Sequence, residues 1–168
     1  ICFYKELEDL KFSCCVGGIP PVPEELKQQY LSPLQLRNFN SSGILYGCMA
    51  GMDAWNDAGL VMSGTEDPDW DSGTVFGTGT SGVEKYREAI YKVDAGNVKT
   101  LGSTTVLQIM ASGISAYLSG MIGLGNLVTT NSSACCTGTD AVLMGFERIQ
   151  SGKAKRMLAG GCSDHGPY

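Results

Sequence analysis

From Leu101 to Thr139 the chain carries no Asp, Glu, Lys or Arg. A stretch of that length cannot all face water at acceptable cost, so most of it must be core or a covered interface. It closes in Leu127-Val128-Thr129-Thr130-Asn131-Ser132-Ser133-Ala134-Cys135-Cys136-Thr137-Gly138-Thr139, followed by Asp140. The apolar and β-branched start predicts a short buried strand. The small residues after it predict a tight turn, and the segment from Cys135 predicts a helix running to Gln150. A thiol at a helix N-terminus lies beside unpaired N–H groups and the positive end of the helix dipole, both of which favour thiolate, so Cys135 suits a nucleophile. A free cysteine also serves as a small, buried, inert hydrophobe, and spacing alone does not choose between the two. Asp140 is explained by the helix dipole without any further role.

The same alternation of short apolar strand and helix recurs. Thr74-Val75-Phe76 predicts a buried strand that enters Gly77-Thr78-Gly79-Thr80-Ser81-Gly82 and then a helix from Val83 to about Val93. Gly152 stops the long helix, Lys153 to Arg156 form a polar link, and Met157-Leu158-Ala159 predict another buried strand before Gly160-Gly161. Strands and helices in this order imply an α/β layered fold, with a mostly parallel sheet and helices on both faces. In such sheets the working residues gather at the C-terminal ends of strands, where Cys135 falls. Gly77, Gly79 and Gly82 also match the dinucleotide pattern G-x-G-x-x-G. That pattern requires a second strand ending in an acidic residue about 20 positions on. Asp94-Ala95-Gly96-Asn97 stands there instead. The glycines are equally explained by a strand-to-helix turn pressed against a ligand or another backbone.

Upstream, Asn40 to Leu60 predicts a helix ended by Gly59. Leu45, Cys48, Met49, Met52 and Trp55 form one apolar stripe, and Gly43, Gly47, Ala50, Ala54 and Ala58 a second stripe of small residues for close packing. Ser103 predicts the N-cap of a helix reaching Ile122, with Ser112, Ala116 and Gly120 as its small-residue stripe, suited to a neighbouring helix or a second subunit. Ile1 to Pro23, ending in Ile19-Pro20-Pro21-Val22-Pro23, predicts a connecting segment without regular structure. Glu24–Tyr30 and the segment from Ser32-Pro33 predict short helices, and Thr65–Asp71 an acidic loop.

A net charge of −5 without a long basic run excludes a nucleic-acid surface. The seven cysteines contain no C-x-x-C, and His165 is the single histidine, so no zinc site is predicted. Free thiols scattered among apolar residues suit a reducing, cytoplasmic setting, and no signal peptide or membrane span is predicted. The chain begins at Ile1 and stops after a strand and a glycine turn, so it is expected to be part of a longer protein.

Four segments carry a family resemblance: Ser132 to Gly138, Leu158-Ala159-Gly160-Gly161, Gly77 to Gly82, and Met110-Ala111-Ser112-Gly113-Ile114-Ser115-Ala116. With them, the sequence from about Arg37 onward resembles the N-terminal half of a β-ketoacyl-acyl-carrier-protein synthase. The likeness is to the elongating synthase I/II branch of the thiolase superfamily. The resemblance implies a thiolase-like layered fold, with residues 1–168 forming a partial domain that lacks its first βα unit and its C-terminal half. It implies acyl transfer to Cys135 from the phosphopantetheine arm of an acyl carrier protein, then decarboxylative Claisen condensation with malonyl-carrier protein in fatty-acid or polyketide-type synthesis. No cofactor is implied. Cys135 matches the nucleophile, its backbone N–H one oxyanion-hole donor, and Cys136 a position the family fills with a small residue. Thr80 and Met110 match residues lining the acyl pocket, Met110 reaching across a homodimer interface made by the strand before Cys135. The family's two catalytic histidines, its lysine and its second oxyanion donor have no match here. His165 matches neither histidine, and only Arg37 remains of the basic residues that dock the carrier. The isolated chain is therefore expected not to condense. The alternatives are a non-catalytic module of the same fold that dimerises or binds a carrier protein, and a thiolase-type reaction on coenzyme A thioesters. Related non-catalytic chains lack the cysteine.

Overall fold

The computed structural model describes residues 1–18, 20–37 and 39–165. The first segment is more regular than its prolines suggest. Strands β1 (Cys2–Phe3) and β2 (Val16–Gly17) pair antiparallel around helix α1 (Lys5–Asp9). Nothing in α1 is buried, and Ile1, Phe3, Phe12 and Val16 are exposed, so this hairpin adds little to the core. Pro20, Pro21 and Pro23 lie in no helix or strand interior, as expected, and Ile19 lies outside the described residues. Helix α2 (Glu24–Tyr30) and helix α3 (Pro33–Leu36) start where predicted. The Ser32 hydroxyl accepts from the Gln35 N–H while the Gln35 side chain accepts from the Ser32 N–H, a closed capping box.

Strands β3 (Ser72–Thr78), β4 (Val128–Thr129) and β5 (Arg156–Cys162) form a parallel sheet in the order β4-β3-β5. Every residue of β3 is buried, as the central strand requires. Period-two alternation divides the sheet's surroundings. On one face Phe76 and Leu158 enter a core with Ile44, Cys48 and Trp55 of helix α4 (Ser42–Asp57) and with Ile114, Leu118 and Ile122 of helix α7 (Gly113–Ile122). On the other face Met157, Ala159 and Gly161 approach Gly145 and Gly138 of helix α8 (Thr137–Gln150). Helix α5 (Val83–Asp94) follows β3. The expected α/β sheet with helices on both faces is therefore present.

Three sequence expectations need correction. The small-residue stripe of α4 that packs is Gly43, Gly47 and Gly51; Ala50, Ala54 and Ala58 face solvent. A Cβ on Gly51 would stand 3.3 Å from a methyl of Leu118, so α7 crosses α4 at the glycines. Second, the helix expected from Ser103 to Ile122 is broken into α6 (Thr105–Ile109) and α7, and Thr104 rather than Ser103 occupies the N-cap. Gln108, inside α6, is fully buried and its side chain accepts from the Asn40 N–H at 2.8 Å, and the chain leaves the helix at Met110, whose backbone is extended (φ −69°, ψ 137°). Ser112, Ala116 and Gly120 consequently face outward. Third, the strand before Cys135 is two residues long and Val128 is 38% exposed, because β4 is an edge of the sheet rather than a buried strand.

One ion cluster links α5 to the core. Lys85 is 1% exposed and donates to Glu88 at 3.1 Å; Lys92 and Asn40 also donate to Glu88. Burial raises the Glu88 pKa, but hydrogen bonds from Lys92, Asn40 and Lys85 outweigh it and bring the carboxyl down to about 2.

Candidate active site

Three glycines let the start of α8 sit directly on the sheet. A Cβ on Gly77 of β3 would stand 2.5 Å from the Thr137 carbonyl oxygen, and one on Gly161 of β5 would stand 3.1 Å from the Gly138 Cα. The turn between β4 and α8 is strapped in place by its own polar groups. The Thr78 N–H donates to the Asn131 carbonyl at 3.1 Å, and the Asn131 side chain donates to the Thr137 carbonyl at 2.9 Å. The Cys136 N–H donates to the Ser133 carbonyl at 3.1 Å, Thr137 donates to the Ala134 carbonyl, and Ser133 donates to Asp140. Asp140 thus has a local partner beyond its effect on the dipole.

These bonds hold Ala134 at φ 51°, in the left-handed region that a side chain disfavours by about 1–2 kcal/mol. Ala134, Cys135 and Cys136 then form a 3-10 turn, and α8 begins at Thr137 with Cys136 as its N-cap. The helix thus starts two residues later than the sequence predicts. Cys135 sits in the turn at its mouth, and its side is open: the residue is exposed and lines a cleft of about 910 Å³. Thr80, Ser132, Gly161, Cys162 and Ser163 line the same cleft. Cys136 is exposed as well, yet it is not among the lining residues.

The other thiols near this end of the sheet are electrostatically quiet. Burial pushes the Cys48 thiol up to about 12, helped by the neighbouring Cys162. Burial does the same to Cys162, with the Asp164 charge adding to it, again to about 12. Both stay protonated at neutral pH.

Thr80 and Cys135, singled out separately in the sequence, meet at this cleft, whereas Met110 caps α6 and is not among its lining residues. The glycines of the Gly77–Gly82 motif act on backbone rather than on a nucleotide. Gly77 admits Thr137, and Gly82 takes φ 77° with the Ile109 Cα only 2.8 Å from where its Cβ would be. His165 is an exposed loop residue. Its backbone N–H donates to Ser42, its ring lies 3.4 Å from Glu84, and it is not among the residues lining the cleft. Sequence reading missed Asp164, whose carboxylate accepts the N–H groups of Gly43 and Val83, each at 2.9 Å. A carboxylate just past a predicted strand is a weak signal, and only the fold brings two helix starts to it.

A family model described as beta-ketoacyl synthase, N-terminal domain, matches residues 37–167. Nodulation protein E of Rhizobium sp. (strain N33) is 29% identical over 117 residues, covering 70% of this chain and 29% of that protein. Among solved structures, the ishigamide ketosynthase/chain length factor aligns with a TM-score of 0.68 at 21% identity, covering 83% of this chain and 34% of that one. A β-ketoacyl synthase from Burkholderia phymatum STM815 aligns at 0.64 and 20% identity, covering 90% and 36%. A type II PKS acyl-carrier protein in complex with its ketosynthase bound to the hexaketide aligns at 0.62 and 22% identity, covering 71% and 30%. The structural likenesses establish a shared ketosynthase fold, and the chain spans about a third of the length of the relatives it matches. Through residues 37–167, the chain belongs to the β-ketoacyl synthase family, whose N-terminal domain it carries.

Proposed function

We propose that Cys135 accepts the acyl chain in β-ketoacyl synthase chemistry. What carries this reading is the position of its thiol: exposed in a strapped turn ahead of α8, on an open cleft at the C-terminal ends of β3 and β5. The thiolate attacks the carbonyl carbon of an acyl thioester, forming a tetrahedral oxyanion to which the Cys135 backbone N–H donates. Collapse expels the phosphopantetheine thiolate of the carrier protein and leaves the acyl group on Cys135. Malonyl-carrier protein then loses carbon dioxide, and its carbanion attacks the Cys135 thioester, freeing the thiolate and lengthening the chain by two carbons. Thr80 walls the acyl chain from within the subunit. Met110, 47% exposed and absent from the cleft lining, serves a partner copy's pocket in this reading.

A homodimer follows from the same reading. The edge strand β4 offers its free side to a two-fold mate, and Val106, Met110 and Val128 of the charge-free stretch are exposed for a partner to cover. Residues 1–168 then supply the nucleophile-bearing part of a thiolase-like domain. With His165 outside the cleft lining as the one histidine, the chain by itself accepts an acyl group but does not condense it. A second reading, a non-catalytic module that dimerises or binds a carrier protein, draws its support from that same shortage of catalytic partners.

Thiol mapping separates the two readings. Iodoacetamide at neutral pH should modify Cys135 well ahead of Cys48 and Cys162, whose thiols titrate near 12. The modification should persist in Cys136→Ala and vanish in Cys135→Ala. Labelling of Cys135 no faster than that of the buried thiols would favour the non-catalytic module.

A further inference from the structure

Two helices begin beside the cleft without a side-chain cap of their own. Ser41, at the N-cap of α4, makes no capping hydrogen bond to its helix, and α5 is capped by Gly82, which has no side chain. Each helix start leaves N–H groups in need of an acceptor. Asp164, just beyond β5, supplies it to both. One carboxylate oxygen accepts from the Gly43 N–H at 2.9 Å and the other from the Val83 N–H at 2.9 Å, with the Ser41 hydroxyl donating to the first at 3.4 Å. Gly43 makes room for this: a Cβ there would stand 2.7 Å from the Ser163 carbonyl carbon and 2.8 Å from the Asp164 nitrogen. The backbone around the carboxylate continues into the cleft wall. The Asp164 N–H donates to the Thr80 carbonyl at 3.4 Å, the Ser163 hydroxyl donates to the same carbonyl at 3.3 Å, and the two hydroxyls lie 3.4 Å apart.

We propose that Asp164 is a positioning residue of this site: by capping α4 and α5 together, its carboxylate fixes the Thr80–Ser163 wall along which an acyl chain on Cys135 lies. The inference rests on the reading of Cys135 and Thr80 given above. A second carboxylate provides an internal control. Glu84 accepts from the Ser42 N–H at 3.0 Å and from the Ser42 hydroxyl and lies 3.4 Å from the His165 ring, so it caps α4 without a bond to Thr80 or Ser163. Losing Glu84 should weaken the fold but leave the wall alone. Losing Asp164 should disturb both.

The test compares Cys135 modification by N-ethylmaleimide and by N-octylmaleimide, read by mass spectrometry in a Cys136→Ala background. The parent should react faster with the octyl reagent, whose chain lies along the wall. Asp164→Asn, which places an amide donor against one of the two N–H groups, should lower the octyl-to-ethyl rate ratio about tenfold, the scale of one charge-assisted hydrogen bond, with the N-ethylmaleimide rate little changed. Ser163→Ala, which removes only the bonds to Thr80, should lower the ratio in the same direction, and if Asp164→Asn does not fold, Asp164→Glu, which keeps the charge but displaces the carboxylate from the two N–H groups, should lower it in its place. Glu84→Gln should lower the melting temperature and leave the ratio unchanged. An unchanged ratio in folded Asp164→Asn and Ser163→Ala, or an equal fall in Glu84→Gln, overturns the positioning role. A parent that shows no preferential reaction at Cys135 overturns the acyl-acceptor reading, and the inference with it.

Discussion

Replacing Gly77 by alanine tests how the turn that carries Cys135 is seated. Gly77 lies in the central strand, and an added Cβ would stand 2.5 Å from the Thr137 carbonyl oxygen and 2.8 Å from its carbon. Ordinary contact for a methyl is about 3.5 Å, so β3 and the first turn of α8 must separate by about 1 Å. Strand β3 cannot easily yield, because β5 pairs with it along its whole length and β4 pairs on its other side. The strain therefore falls on α8 and on the turn holding Cys135. Overpacking of this kind costs about 1–3 kcal/mol. At about 2–4 °C per kcal/mol for a chain of this size, the melting temperature should fall by about 2–12 °C. Acyl transfer to Cys135 needs closer geometry than folding does, and should fall by about tenfold to a hundredfold. The assay pairs thermal denaturation with intact-mass detection of acyl transfer from an acyl-pantetheine thioester. Gly120→Ala is the matched control. It sits in a helix with nothing within 4 Å of its added Cβ, so it should be neutral or stabilise by up to about 1 kcal/mol. A Gly77→Ala protein with unchanged melting temperature and unchanged acyl transfer would refute the seating argument.

Two further outcomes follow. The Glu88 carboxyl, ordinarily near 4.5, is held at about 2, so the stability it contributes is complete above about pH 4.5 and is lost as pH falls toward 2. Glu88→Gln should cost on the order of 2 kcal/mol at pH 7 and almost nothing near pH 2, so urea midpoints of parent and variant should converge on acidification; a constant gap would contradict the assignment. If β4 pairs with a second copy, Val128→Asp sets two like charges against each other near the two-fold axis and should weaken self-association by about tenfold or more, as measured by light scattering on a sizing column. A parent that is monomeric at all concentrations, or a variant that dimerises equally well, would remove β4 as the interface.

Much of this arrangement was legible in the residues because local and tertiary preferences agree. The order of strands and helices from Thr74 to Ala159, the glycine stops at Gly59 and Gly152, and the turn before α8 all follow from patterns within a dozen residues. Glycine at φ 68° and φ 70° ends α4 and α8 as expected. What failed was set from afar. Apolar residues continue through Met110, so nothing local announced that the chain would turn extended there and divide a helix. The pairing of α4 and α7 through Gly47 and Gly51 depends on Ile114 and Leu118 arriving from the next layer, while the alanines of the same helix only look equivalent. At the site, Cys135 and Thr80 could be named individually, and their meeting needed the parallel pairing of β3 with β4. The double cap by Asp164 had no sequence signature, since the two N–H groups it accepts are separated in the chain by α4, the acidic loop and β3.

The acyl-acceptor role proposed for Cys135 is tested most directly by incubating the chain at neutral pH with an acyl-carrier-protein thioester and mapping the product by tandem mass spectrometry. One acyl group should appear, on Cys135, in the parent and in Cys136→Ala, with none in Cys135→Ala. An acyl group that appears on Cys136 instead, or on no cysteine at all, would contradict it.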